Sequence, residues 1–154
     1  MNDIEIRPAR PHELDTIEGL LKTVNLPLFG AADFLDTFWI AENRGDVAGC
    51  VGLEVYDDAG LLRSAVVTEE MRGTGLGGRL TLHVIDAARE LGIRDLYLFT
   101  MDKGPFFEHM GFDKCTMDDF SEDGRKSTQW RMVNEHPEVA EVLSTMRMRL
   151  PQAS

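Results

Sequence analysis

The sequence predicts a single α+β domain over residues 1–154, and three observations carry that prediction. Short apolar runs alternate or fill strand-length windows from Ile4 to Val67. From Gly75 to Leu91 the period lengthens to that of a helix, with Leu76, Leu80, Val84, Ala87 and Leu91 at helical spacing. Turn residues close almost every run, and no repeat, low-complexity tract or linker interrupts the chain.

In order, Ile4-Glu5-Ile6-Arg7 alternates and predicts a first strand. Pro8 and Pro11 punctuate. Pro11 suits the opening turn of a helix in which Leu14, Ile17, Leu21 and Val24 share a face. Asn25 to Gly30 is a break carrying Pro27 and Gly30, and Ala31 to Asp36 predicts a short second helix. Thr37 to Glu42 and Val47 to Tyr56 predict strands around a turn at Asn43 to Asp46. A further turn at Asp57 to Gly60 returns the chain as the strand Leu61 to Val67, which completes an antiparallel meander. After the Gly75–Leu91 helix, Gly92 supplies a stop. Arg94 to Thr100 reads as a buried strand, Gly104 to Met110 as a short helix closed by Gly111, and Phe112 to Met117 as a strand. Ser121 to Glu135 reads as helical up to Pro137, and Val142 to Leu150 as the last strand.

Composition narrows the function classes. Hydrophobic residues make up 43% and charged residues 28%, a globular balance that argues against a wholly disordered chain. No apolar run approaches the roughly 18 residues of a membrane span. The start, MNDIEIRPAR, has no apolar signal core, so cytoplasmic residence is the default expectation. Cys50 and Cys115 have no partners at ligand spacing, so neither a disulfide framework nor a metal site is expected. There are 27 acidic residues against 16 basic ones, a net charge of −11, and that sign disfavours nucleic acid as a partner. The acidic surface suits an ordinary cytosolic protein, a protein adapted to high salt, or one that attracts a cationic substrate.

One stretch carries chemistry. The strand ending at Val67 runs into Thr68-Glu69-Glu70-Met71-Arg72-Gly73-Thr74-Gly75-Leu76-Gly77-Gly78, then into the amphipathic helix. Small residues let main-chain N–H groups approach a ligand, and a helix start adds unsatisfied N–H groups and the positive end of a dipole. Arg72 adds a formal positive charge. These are the ingredients of a pyrophosphate site; the plainer reading is a flexible turn with a helix cap. A Walker loop would need Gly-Lys followed by Ser or Thr, which is absent here. A Rossmann fingerprint would follow the first strand of a parallel unit, whereas an antiparallel meander comes before this one.

Arg72-Gly73-Thr74-Gly75-Leu76-Gly77 resembles the R/Q-x-x-G-x-G/A motif of the GCN5-related N-acetyltransferases (GNAT). Ala65-Val66-Val67 resembles that family's fourth strand, and Phe106-Phe107-Glu108-His109-Met110-Gly111-Phe112 its later F-Y-x-x-x-G-F segment. The resemblance covers about residues 4 to 118. It implies the GNAT fold: a central, mostly antiparallel mixed sheet of about seven strands flanked by helices, with a splay between the fourth and fifth strands. More narrowly, Gly52 to Tyr56, Ala59 to Ser64, Leu96 to Thr100 and Phe106 to Glu108 are similar to a subgroup associated with arsenic resistance.

The resemblance also implies acetyl-CoA as co-substrate, lying in the opening between the strands at Leu61–Val67 and Arg94–Thr100. It assigns main-chain groups of Ala65, Val66 and Val67 to the pantetheine and thioester carbonyl. It assigns Arg72, Gly73, Thr74, Gly75, Leu76, Gly77 and Gly78 to the pyrophosphate. Phe106 and Phe107 wall the pantetheine channel or simply pack. The family often places a tyrosine at the second aromatic position to protonate the leaving thiolate; Phe107 has no hydroxyl, so solvent or another group must do so. Tyr97, Cys115, His83 and His109 are better explained by packing or exposure than by that role.

Hairpin geometry offers an acceptor site. With Asp57 to Gly60 as the turn, Tyr56 faces Leu61 and Glu54 faces Arg63, which puts all four on one sheet face. On one reading Glu54 and Arg63 form a solvated cross-strand ion pair. On the other, Glu54 is catalytic and takes the amine proton through water, while Arg63 clamps a carboxylate or oxyanion with Tyr56 beside it. Loop residues Leu26, Leu28 and Phe29, together with the Trp39 strand, would set acceptor specificity. The leading expectation is an N-acetyltransferase for a small-molecule amine, such as an amino acid analogue. Acetylation of a protein or peptide amine, and a non-catalytic acyl-CoA-binding regulatory domain, are the alternatives. Membrane partners are not expected, and a homodimer is compatible with the sequence.

Overall fold

The computed structural model describes residues 3–152. Its strands are β1 (Ile4–Pro8), β2 (Phe38–Asn43), β3 (Asp46–Tyr56), β4 (Ala59–Val67), β5 (Asp95–Thr100), β6 (Asp113–Lys114) and β7 (Ser144–Arg149). The α-helices are α1 (Leu14–Thr23), α2 (Leu76–Glu90), α3 (Gly104–His109), α4 (Thr128–Glu135) and α5 (Pro137–Ala140). The seven strands form a mixed sheet in the order β1-β2-β3-β4-β5-β7-β6. β1–β2, β2–β3, β5–β7 and β6–β7 pair antiparallel. β4 and β5 pair in parallel, because the connection between them is the crossover helix α2. That parallel ladder pairs Ala59–Leu61 with Asp95–Tyr97.

The described chain divides into two compact units, Met1–Leu53 with Arg63–Val84, and Glu54–Leu62 with Ile85–Ser154. In the first, α1 buries Ile17 and Leu21, four residues apart, with Phe38, Ile40, Cys50 and Val66. Each fully buried side chain of this size stabilises by about 1.5–3 kcal/mol relative to exposure. Arg7 Nη1 and Nη2 donate to the two oxygens of Glu13 at 2.8 Å each, and its Nε bonds Glu42. In the second unit, Ala59, Leu61, Tyr97 and Phe120 form one buried cluster. Tyr97 stacks on Phe120 at 4.0 Å, and its hydroxyl oxygen accepts from Ser121 N at 2.9 Å.

Several boundaries differ from expectation for local reasons. The hairpin turn is only Asp57-Asp58, with Asp57 at φ 53°, so β4 starts at Ala59 rather than Leu61. Gly75 has φ +88°, outside helical space, so α2 starts at Leu76. The expected helix at 31–36 is a 3-10 helix, Ala32–Thr37, with non-helical torsions at Phe34. The expected strand at 112–117 is shortened to Asp113–Lys114, with Cys115 N still donating to Thr145 O at 2.8 Å; Thr116 N then bonds Asp119 Oδ2 at 2.8 Å and turns the chain into a 3-10 segment. The helix expected from Ser121 begins only at Thr128, because extended Ser127 caps it by accepting from Trp130 N at 3.2 Å. The last strand is shortened to Ser144–Arg149.

Candidate functional site

β4 delivers the chain to the glycine turn. Thr68 N donates to Ala48 O at 2.9 Å, and a 3-10 segment, Glu69–Met71, follows. Arg72, Gly73, Thr74 and Gly75 are all exposed. Gly73 and Gly75 have φ of +80° and +88°, and an added Cβ at either would meet nothing within 4 Å. The glycines are therefore required by backbone conformation, and the space in front of them is open. Thr74 Oγ1 donates to Met71 O at 2.5 Å and braces the turn. Leu76, 1% exposed, anchors the helix start, and Arg79 N bonds Gly75 O at 3.2 Å. The amides of Leu76, Gly77 and Gly78 precede any carbonyl four residues back within α2, so they are the donors a helix cannot satisfy internally. With the helix dipole and Arg72, this turn suits a diphosphate.

Upstream, Ser64 sits inside β4 at φ +61°, a conformation rare for a serine in a strand. The residue interrupts the pleat just before Ala65, Val66 and Val67; Val66 is buried and the other two are partly exposed. Arg63 Nε donates to Ser64 Oγ at 3.0 Å, and Cys50 Sγ to Ser64 O at 3.4 Å. No sequence signal marks Ser64, because serine is not a usual left-handed residue.

Arg63 is 2% exposed, so its guanidinium is not solvated. Its Nη1 donates to Phe29 O at 2.7 Å and its Nη2 to Pro27 O at 3.0 Å. Its guanidinium carbon lies 5.9 Å from the ring centres of both Phe29 and Phe38. Arg63 thus ties the 25–30 loop to β4, and Phe29, 43% exposed, is left facing outward.

Glu54 is 0% exposed, which also rules out the solvated reading for it. Its Oε1 accepts from the Tyr56 hydroxyl at 2.6 Å and from Thr128 N at 3.0 Å, and its Oε2 from Thr128 Oγ1 at 2.5 Å. Burial, then the bond to Glu54, push the Tyr56 phenol well above its ordinary range, so it keeps its proton. Thr128 escaped the sequence reading because it lies 74 residues from Glu54 and no motif links them.

The remaining candidates have structural surroundings. Phe107, 7% exposed, packs edge-on against Phe106 at 5.0 Å and Phe112 at 5.7 Å. His83 meets Trp39 edge-on at 5.2 Å, and His109 is exposed. Burial pushes the Cys50 thiol up to about 12 and the Cys115 thiol up to about 11. Among the described residues, no group of three or more His, Cys, Asp or Glu could hold a metal ion, and no helix is long and apolar enough to cross a membrane.

A mixed sheet whose parallel step passes through a glycine turn at a helix start defines an α+β protein with an open crossover turn. The chain belongs to the GNAT acetyltransferase family: residues 35–114, more than half of the sequence, match the family model described as an acetyltransferase (GNAT) domain. It is 28% identical over 142 residues to an amino-acid acetyltransferase of Neisseria meningitidis, covering 86% of this chain and 33% of that protein. The chain thus spans about a third of the length of the first curated relatives it matches. It superposes with a TM-score of 0.80 on Rv2747 of Mycobacterium tuberculosis, solved in complex with CoA, at 22% identity, covering 96% of this chain and 99% of that one. N-acetylglutamate synthase of Neisseria gonorrhoeae, complexed with CoA and N-acetyl-glutamate, superposes with a TM-score of 0.79 at 24% identity, covering 97% of this chain and 35% of that one.

Proposed function

We propose that the chain acts as one domain, an acetyl-CoA-dependent N-acetyltransferase for the amine of a small amino acid or amino acid analogue. The observation that carries this reading is the open turn 72–78, which sets Arg72 and the first amides of α2 together in a chain of net charge −11. Family membership supports acetyl-CoA as the donor, and the names of the curated relatives support an amino-acid acceptor. In this reading the coenzyme diphosphate lies on Arg72, Gly73, Thr74, Gly75, Leu76, Gly77 and Gly78, and the pantetheine on main-chain groups of Ala65, Val66 and Val67.

The acceptor nitrogen attacks the thioester carbon, the C–N bond forms, and negative charge builds on the carbonyl oxygen. A main-chain N–H of β4 stabilises that charge, an effect typically worth about 3–4 kcal/mol. The C–S bond then breaks, its electrons leave on sulfur, and solvent protonates the thiolate, since Phe107 carries no hydroxyl. Glu54 is the final acceptor of the amine proton. Arg63 shapes the acceptor pocket through the carbonyls of Pro27 and Phe29, and Phe29 contacts the acceptor.

Thiol release from acetyl-CoA, measured across a panel of amino acids that includes arsenical and phosphinic analogues at low and high potassium chloride, tests the reading. Release with at least one amino acid is expected. Coenzyme binding without release across the whole panel would replace it with a non-catalytic acyl-CoA-binding role.

A further inference from the structure

We propose that Gln129 binds the carboxylate of an amino acid, using its main-chain N–H and its side-chain amide together. That the amino acid is the acetyl acceptor rests on the function proposed above; the site itself lies within the unit formed by Glu54–Leu62 and Ile85–Ser154. Gln129 stands in the first turn of α4, whose N–H groups have no carbonyl four residues back inside the helix. Thr128 N donates to Glu54 Oε1 at 3.0 Å, Trp130 N to Ser127 Oγ at 3.2 Å, and Arg131 N to Ser127 O at 3.1 Å. Gln129 N has no acceptor among the described residues.

The side chain is left over in the same way. Gln129 is 8% exposed and shares the buried face of α4 with Val133, four residues on and 2% exposed. Its amide has no hydrogen-bond partner among the described residues, and burying an amide unpaired costs stability that an apolar side chain of the same length would not. Among those residues, the one completely buried side-chain nitrogen or oxygen without a partner is Arg79 Nη1, so the Gln129 amide is not sealed off from a ligand. Helical side chains lean toward the N-terminus, which brings the amide of a first-turn residue to the end where its own N–H is unused. Two unused donors thus belong to one residue at the positive end of α4, and a carboxylate is the group that takes both. The Glu54 carboxylate already stands on the neighbouring Thr128 N–H. A second negative charge beside it is repelled unless a positive one travels with it, and an amino acid brings its own ammonium. The site therefore prefers a zwitterion to a simple anion.

The test titrates the isotopically labelled full chain with pools of the protein amino acids, with the matching decarboxylated amines and with sodium acetate, and follows the Gln129 amide signals by NMR. At least one amino-acid pool is expected to move both the main-chain and the side-chain signal, and the amines and acetate are expected to move neither. Signals that no pool moves overturn the proposal, as does acetate acting as strongly as the pools, which would mean an adventitious ion only. Gln129→Met keeps the length of the side chain and removes the amide. It is expected to be at least as stable as the parent in chemical denaturation, because no hydrogen bond is lost. It should raise KM for the best acceptor by about tenfold or more, with kcat within about threefold and acetyl-CoA affinity unchanged. A less stable variant with the parental KM overturns the proposal, since the amide would then serve the fold. Amino-acid binding at Gln129 with no thiol release from acetyl-CoA leaves the carboxylate site standing and overturns the acceptor reading instead. The titration of the parent decides the matter even where the variant fails to fold.

Discussion

Phe38 lies against the bare α-carbon of Gly52, its cross-strand partner: a Cβ placed on Gly52 would come within 2.4 Å of the Phe38 ring. Phe38 is fully buried, and Arg63 stands over the same ring at 5.9 Å. Gly52→Ala therefore forces the ring to move inside a packed core. A loss of about 1–3 kcal/mol is expected in chemical denaturation. Adding Phe38→Leu should recover part of it by making room, and a fully stable Gly52→Ala would show that the ring yields freely.

The Arg7–Glu13 pair predicts an acid-sensitive fold. The hydrogen bond from Arg7 holds the Glu13 carboxyl down at about 2, against an ordinary 4.5. A folded value below the unfolded one means that this stabilisation is complete above about pH 4.5 and disappears as pH falls through about 2. Tm should drop across that window, and Glu13→Gln should flatten the drop while lowering Tm at neutral pH. A parallel pH dependence in parent and variant would exclude Glu13 as a source.

The glycine turn separates charge from shape. Arg72→Ala should weaken acetyl-CoA binding by about five- to tenfold, and the deficit should shrink as salt rises, because an exposed charge is screened. Gly75→Ala meets no steric obstacle but must hold φ +88°, so stability should fall by about 1 kcal/mol while coenzyme affinity falls by more than tenfold. Calorimetric titration with CoA reads both. Unchanged affinity in both variants would move the diphosphate elsewhere.

Thr128→Val keeps the main-chain donor to Glu54 and deletes the hydroxyl. Stability should fall by about 1–3 kcal/mol, as for a buried charged acceptor deprived of a partner, and turnover should fall with it. Thr128→Ser should restore both. A valine variant with parental turnover would show that the main-chain N–H alone orients Glu54.

Neither cysteine is expected to be reactive. With thiols pushed up to about 12 at Cys50 and about 11 at Cys115, alkylation by iodoacetamide at pH 8 should be far slower than for a free thiol, and activity should survive it. Rapid inactivation would place a cysteine in the reaction after all.

Local chemistry made much of the molecule legible in advance. The period change at Gly75–Leu91, the breaks at Pro27 and Gly92, and the clustered glycines at 73–78 each act within a few residues, so the strands, the crossover helix and its turn could be read directly. The region after Phe112 was harder, because its course follows from capping bonds at Thr116 and Ser127 and from the packing of Tyr97 on Phe120.

The sequence by itself determined the family and the glycine turn at the start of α2, because both rest on contiguous residues whose backbone needs are local. Only the tertiary structure decided what surrounds the two charged side chains of the β3–β4 hairpin. Arg63 is bound by carbonyls of the 25–30 loop and Glu54 by Thr128, each from a segment far away in the chain. Alternation along a strand says which face a residue occupies. It does not say which distant segment folds over that face, takes the side chain out of solvent and supplies hydrogen bonds to it.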